Sequence, residues 1–169
     1  MQLTGIERSI GENEIIVSKT NLKGHIIYAN DVFLRIADYT LEEVMEKPHS
    51  MIRHPDMPRC VFKLLWDSIQ DGKEIFAYVV NRTKYGDHYW VFAHVTPSYD
   101  EEGNLAGYHS NRRKPRAEAL EVIQGLYKTL REEEAKHTNS KEGMNAGFNL
   151  LLEVLKEKGI SYDELILSI

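Results

Sequence analysis

The hydrophobic pattern along the chain changes period several times, and each change marks an element. Residues 1–13 are polar and aperiodic, which predicts a short lead-in segment. Glu14–Thr20 is rich in β-branched residues, Asn21–Gly24 reads as a turn, and His25–Ala29 is a second short apolar run; together they predict a β-hairpin. Asn30 or Asp31 can cap a short helix carrying Phe33, Leu34 and Ile36. Thr40 with Glu43 forms a capping box for another short helix that runs through Met45. Lys47–Met57 holds two prolines and predicts a loop. Pro58 suits the first position of a helix, because its fixed φ is already helical. Val61, Phe62, Leu65, Trp66 and Ile69 follow at helical spacing, and Gly72 ends the run.

From Ile75 the period falls to two. Ile75–Thr83, His88–Pro97 and Leu105–Asn111 read as strands, joined by turns at Tyr85-Gly86 and Asp100–Asn104, and predict a three-stranded antiparallel meander. Beyond Pro115 the period returns to about 3.6. Leu120, Ile123, Leu126, Tyr127 and Leu130 form one amphipathic stripe, His137–Gly143 breaks it, and Phe148 to Leu155 with Tyr162–Ile166 continue as helical-hairpin material. The reading is α+β in three parts: a lead-in over 1–13, a sheet domain over 14–115 and a helical segment over 116–169. No linker rich in Gly, Ser or Pro separates the last two, so the tail is expected to pack near the sheet or against a partner.

Composition narrows the class. The 169 residues carry 21 Lys+Arg against 26 Asp+Glu, a net charge of −5 that disfavours nucleic-acid binding. A chain of this size can bury a core without disulfides, and its one cysteine, Cys60, cannot form an internal bridge, which fits a reducing compartment. No apolar run spans a bilayer and the N-terminus has no secretory pattern, so a cytoplasmic protein is expected.

Chemistry concentrates between Lys47 and Ile69, where His49, Arg53, His54 and Asp56 fall close together with Trp66 following. Arg53 offers a donor fork for phosphate or a ring carbonyl, Asp56 can orient Arg53 or accept from a ribose hydroxyl, and Trp66 can stack on a conjugated ring. Equally, Asp56 and Arg53 can simply pin the loop while Trp66 fills the core. Asn81 alternates in phase with Ile75, Ala77 and Val79, so a polar amide continues an apolar face; it either finds a partner there or reaches water at the strand end. His49, His54 and Asp56 match no standard metal spacing, so no metal is expected. The basic cluster Arg112, Arg113, Lys114 and Arg116 reads as a solvated junction. Cys60 reads as a packed thiol, and no GxSxG, Walker or dinucleotide motif is present, so an enzyme is the least expected reading.

Several segments carry a resemblance. Tyr28–Phe33 (YANDVF), Asp38–Thr40, Lys47–Pro58 (KPHSMIRHPDMP), Phe62–Trp66 (FKLLW), Asn81-Arg82 with Lys84, Gly86–Trp90 (GDHYW) and Gly107–Pro115 resemble the PAS sensory domain of bacterial aerotaxis receptors. The match runs from Thr20 to Pro115. It implies a five-stranded antiparallel sheet with small helices on one face, followed here by C-terminal helices. It also implies a noncovalently bound FAD acting as a redox sensor, its family binding positions falling on Asn30, His49, Arg53, His54, Asp56, Phe62, Trp66 and Asn81. By that resemblance Asn30 and Asn81 serve the polar edges of the ring, with Asn81 the group that reorients when N5 gains a proton. Arg53 and Asp56 hold the adenine, ribose or phosphate portion, and Trp66 packs along the cofactor. The asparagine-cysteine-arginine setting of flavin-adduct photosensors is absent.

Conventional aerotaxis receptors continue into a membrane anchor and signalling coiled coil, whereas about 54 residues follow the resemblance here. The expectation is therefore the sensor subunit of a bipartite energy-taxis system, recruited to the inner membrane face by a membrane-bound methyl-accepting transducer. The C-terminal helices would dock on that partner or pair two copies of the chain. Two alternatives on the same fold stay open: a haem-binding gas sensor and a cofactor-free interaction module.

Overall fold

A computed structural model describes residues 2–169. Five strands, β1 (Ile16–Asn21), β2 (Ile26–Ala29), β3 (Ile75–Arg82), β4 (His88–Tyr99) and β5 (Leu105–Arg113), form one antiparallel sheet in the order β2-β1-β5-β4-β3. The hairpin and the meander are both present. What joins them is the β1–β5 ladder, in which Ser18 faces Ser110 and Thr20 faces Tyr108. With period two, that register puts Ser18 and Thr20 on the same sheet face as Tyr108, Ser110 and Arg112. The β3–β4 register adds Val79, Asn81, Ala93 and Val95 to that face.

Three helices cover this inner face: α1 (Asp31–Ala37), α2 (Leu41–Val44) and α3 (Arg59–Gln70). Asn30 caps α1, its Oδ1 accepting from the backbone N–H of Phe33 at 3.0 Å. The Thr40–Glu43 capping box opens α2 in both directions. The predicted Lys47–Met57 loop contains one 3₁₀ turn, His49–Ile52. Pro58 stands one residue earlier than expected, at the N-cap of α3, where it offers no side-chain acceptor.

The C-terminal helices are α4 (Ala117–Ala135), α5 (Ser140–Lys158) and α6 (Tyr162–Ser168). On the outer face of the sheet, the Tyr127 hydroxyl of α4 donates to the Tyr78 carbonyl at 2.6 Å and its ring packs near Trp90. α5 packs on α4 and on α3, and α6 lies against β3. Glu134, in the last turn of α4, takes the place of the cap that Pro58 cannot supply. Its carboxylate accepts from the backbone N–H groups of Arg59 (3.1 Å) and Cys60 (2.8 Å) and sits beside the Arg59 guanidinium. The lead-in is tied down as well: the Thr4 and Arg8 N–H groups donate to the Gly86 and His88 carbonyls, and Ile10 is buried.

Candidate functional site

Between α3 and the inner sheet face lies a cavity of about 330 Å³, at the lower end of the roughly 300–1,000 Å³ typical of small-molecule sites. Phe62, Leu65, Trp66 and Ile69 of α3 line one wall, and Val79, Ala93 and Val95 of the sheet line the other. Phe62, Leu65 and Trp66 are only half-buried although they face inward, so the cavity leaves apolar surface to be covered. Trp66 meets the Tyr108 ring edge-on at 5.7 Å and lies close under the β1–β2 turn. Gly24 makes that approach feasible: at φ +78 it has no Cβ, and a Cβ there would stand 2.8 Å from the indole.

The charged groups of the cavity are of one sign. Lys23, Arg53 and Arg112 contribute cations, and among the described residues no carboxylate lines it. The Arg53 guanidinium lies 3.6 Å over the Phe62 ring. Burial pulls the Arg53 value below its ordinary range. Arg112 is 2% exposed; it donates to Ser18 Oγ, lies 3.4 Å from His49 Nε2 and sits over the Phe33 ring. Burial lowers Arg112 to about 10. His49 is lowered to about 3, first by burial and then by the Arg112 charge, so its imidazole is neutral near pH 7. Asn81 is 4% exposed and its Nδ2 makes no hydrogen bond of ordinary geometry, although the buried Tyr89 hydroxyl is close enough to interact.

Because His49 is neutral in the folded protein, the unfolded chain takes up its proton first. Stability is full above pH 6.5 and falls on acidification toward pH 3, by up to about 1.4 kcal/mol per pH unit from this group. Urea midpoints of wild type and His49→Asn across pH 7 to 4.5 should converge as the pH falls, since the variant lacks this proton uptake; parallel curves would contradict it.

Of the eight residues singled out above, the structure brings His49, Arg53, Phe62, Trp66 and Asn81 to one cavity. Three are elsewhere. The Asn30 amide is consumed locally, accepting from Val17 and Phe33 and donating to the Ile15 carbonyl. A bridge between Arg53 and Asn81 ties the loop to the edge strand, and beyond it the chain turns away. His54 and Asp56 therefore line a separate hollow with His88, Trp90 and Tyr127. There His54 Nδ1 accepts from the Asp56 N–H at 3.0 Å, and Asp56 pairs with Arg131 of α4, not with Arg53.

The basic cluster also needs correcting. Arg113 and Lys114 are solvent-exposed, and Lys114 pairs with Glu12, but Arg112 is buried in the cavity. Its parity with Tyr108 and Ser110 was the available signal; the strand runs to Arg113, two residues beyond the predicted end at Asn111.

An open antiparallel sheet, folded with short helices around an apolar cavity and backed by helices on its other face, defines an α+β domain with an internal cavity. The chain belongs to the PAS fold family, whose profile matches residues 26–111. It is 39% identical over 121 residues to the aerotaxis receptor of Escherichia coli K12, covering 72% of this chain and 24% of that protein. It is 30% identical over 102 residues to phototropin-2 of Oryza sativa subsp. japonica, covering 60% of this chain and 11% of that protein. The chain thus spans about a quarter or less of these relatives. Among solved structures, a light-oxygen-voltage domain from a study of a flavin analogue superposes with TM-score 0.55 at 22% identity, over 73% of this chain and 87% of that one. The PAS domain of a Colwellia psychrerythraea protein gives 0.54 at 19% identity, over 60% and 86%. Among the described residues no helix is long and apolar enough to cross a membrane.

Proposed function

We propose that the chain is a flavin-binding redox sensor for energy taxis. In this reading FAD occupies the cavity and the C-terminal helices pass the signal to a membrane-bound methyl-accepting transducer, which recruits the protein to the membrane. The observation that carries it is the cavity itself: one aromatic wall facing an aliphatic one, a buried amide with an unused donor, and cations without carboxylates among the described residues. A planar ring edged with carbonyl and imine acceptors answers each of these. Kinship with the aerotaxis receptor supports the sensory role, and the flavin analogue studied in the light-oxygen-voltage neighbour supports the ligand class.

Trp66 and Phe62 would flank the ring and exclude water. Asn81 would donate to an acceptor on its edge, Arg53 would reach acceptors of the side chain, and Lys23 stands at the β1–β2 turn for phosphate. Bound flavin supplies a reversible electron couple. A haem reading has less support: among the described lining residues His49 is the single imidazole, and Ser18 (3.0 Å) and Arg112 already engage its Nε2.

Reconstitution with FAD and with FMN, followed by gel filtration, absorption spectroscopy and cofactor extraction, tests the proposal. Wild type is expected to retain FAD as a yellow protein, and Trp66→Ala to bind it about tenfold more weakly through lost stacking. A wild-type protein that stays colourless with either flavin overturns the reading.

A further inference from the structure

The cavity floor has a charge problem that no protein group solves. Arg112 is held on three sides: Ser18 Oγ and His49 Nε2 take its terminal N–H groups, and the Phe33 ring lies under its plane. Those contacts fix its position, yet each comes from a neutral partner. Its Nε has no hydrogen-bond partner. Among the described residues it forms no ion pair. A buried cation without a counter-anion is costly, and replacing it with a neutral side chain would be expected to relieve the empty protein. A folded chain that braces such a charge from three sides, in a cavity free of carboxylates, is arranged for negative charge on what it binds.

We propose that Arg112 is the counter-cation of the bound ring, and that it holds reduced flavin as an anion, protonated at N5 but not at N1. This rests on the flavin reading above. Reduction brings two electrons to the ring, supplied in the experiment by dithionite. Charge balance then requires two protons, one at N5 and one at N1, or one proton at N5 with the remaining charge paired to a fixed cation. The guanidinium supplies the second arrangement. The other charged or titratable groups facing the cavity are Lys23 from the β1–β2 turn, His49 and Arg53 from the 3₁₀ turn and its end, and Tyr108 from β5, with the buried Tyr89 of β4 near Asn81. None is an acid that would compete for the guanidinium, and His49, depressed to about 3, stays neutral through the working range.

The test is the midpoint potential of the FAD-loaded protein measured against pH, beside free FAD in the same buffers. The pH at which the slope changes from two protons per two electrons to one reports protonation at N1. In wild type that break should lie about one to three pH units below that of free FAD, the span expected for an opposite charge within about 4–6 Å. Arg112→Gln should return it to the free-FAD position or above, and Arg112→Lys, which keeps the charge, should stay near wild type. A wild-type break at or above that of free FAD, or one unmoved in Arg112→Gln, overturns this inference and leaves the flavin reading intact. If Arg112→Gln fails to fold, the wild-type comparison and Arg112→Lys decide it on the same criteria. Failure of wild type to take up FAD overturns both.

Discussion

Glu134→Ala is expected to lower stability by about 2–4 kcal/mol, seen as a drop of about 1–2 M in the urea midpoint at an m-value near 2 kcal/mol/M. The size follows from three hydrogen bonds lost at once. Pro58 gives α3 no cap, so the Glu134 carboxylate serves two of the helix's unpaired N–H groups and neutralises its positive end. The substitution also strands the Arg59 guanidinium, which links α4 to the first residue of α5 through Ser140. Nor can the structure close over the gap, because α5 is already in contact: a Cβ on Gly143 would come 2.4 Å from the Glu134 carbonyl oxygen. Glu134→Gln should recover roughly half of the loss, since the amide keeps one good acceptor but not the charge. A midpoint within 0.3 M of wild type (about 0.6 kcal/mol at that m-value) for Glu134→Ala would mean that water caps α3 as well as Glu134 does.

Gly107→Ala is expected to cost at least about 2 kcal/mol and to weaken FAD retention along with stability. Gly107 sits in β5, between β1 and β4, opposite Asn21 and Ser98. An added Cβ would lie 2.1 Å from the Thr20 carbonyl oxygen, a backbone atom held by the sheet. The methyl can be accommodated only by parting β1 from β5 near Thr20 and Tyr108. Both residues line the cavity, and Tyr108 supports Trp66. Overpacking of this kind typically costs about 1–3 kcal/mol, and here the yielding atom is main chain. Thermal unfolding and flavin content together check it; full stability with full flavin content would show that the β1–β5 ladder is softer than its geometry.

These two sites also mark the boundary of what pattern reading reached. The hairpin, the meander, the α3 stripe and the C-terminal helices all follow from local periodicity and caps, and all are present. The ladder that closes the sheet is different in kind. It joins residues about ninety apart, and nothing in either strand names its partner. The cavity residues divide the same way. Phe62, Trp66 and Asn81 were visible because helix and strand phase aims them at one face. Closeness in sequence groups His54 and Asp56 with Arg53, but the bridge at Asn81 sends the chain past the sheet edge and separates them. Asn30 is legible twice over, as a cap and as a polar residue in a family motif; its amide caps α1 and bonds Val17 and the Ile15 carbonyl, away from the cavity. Glu134 could not have been found this way, since a charged residue late in an amphipathic helix has the pattern of a solvated face. Its buried role depends on a helix end 75 residues away.

Cys60, the single thiol of the chain, lies at that same junction, fully buried on α3 and pushed up to about 12 first by burial and then by the neighbouring Glu134 carboxylate. Gly147 of α5 lies over it, so closely that a Cβ there would stand 3.3 Å from the sulfur. Alkylating reagents and peroxides act on accessible thiolate, and here neither access nor ionisation is available while α5 is seated. The sulfur becomes reactive only during excursions in which the helical pair lifts from α3. Its modification rate is therefore a stopwatch for those excursions, already built into the native chain and needing no introduced label.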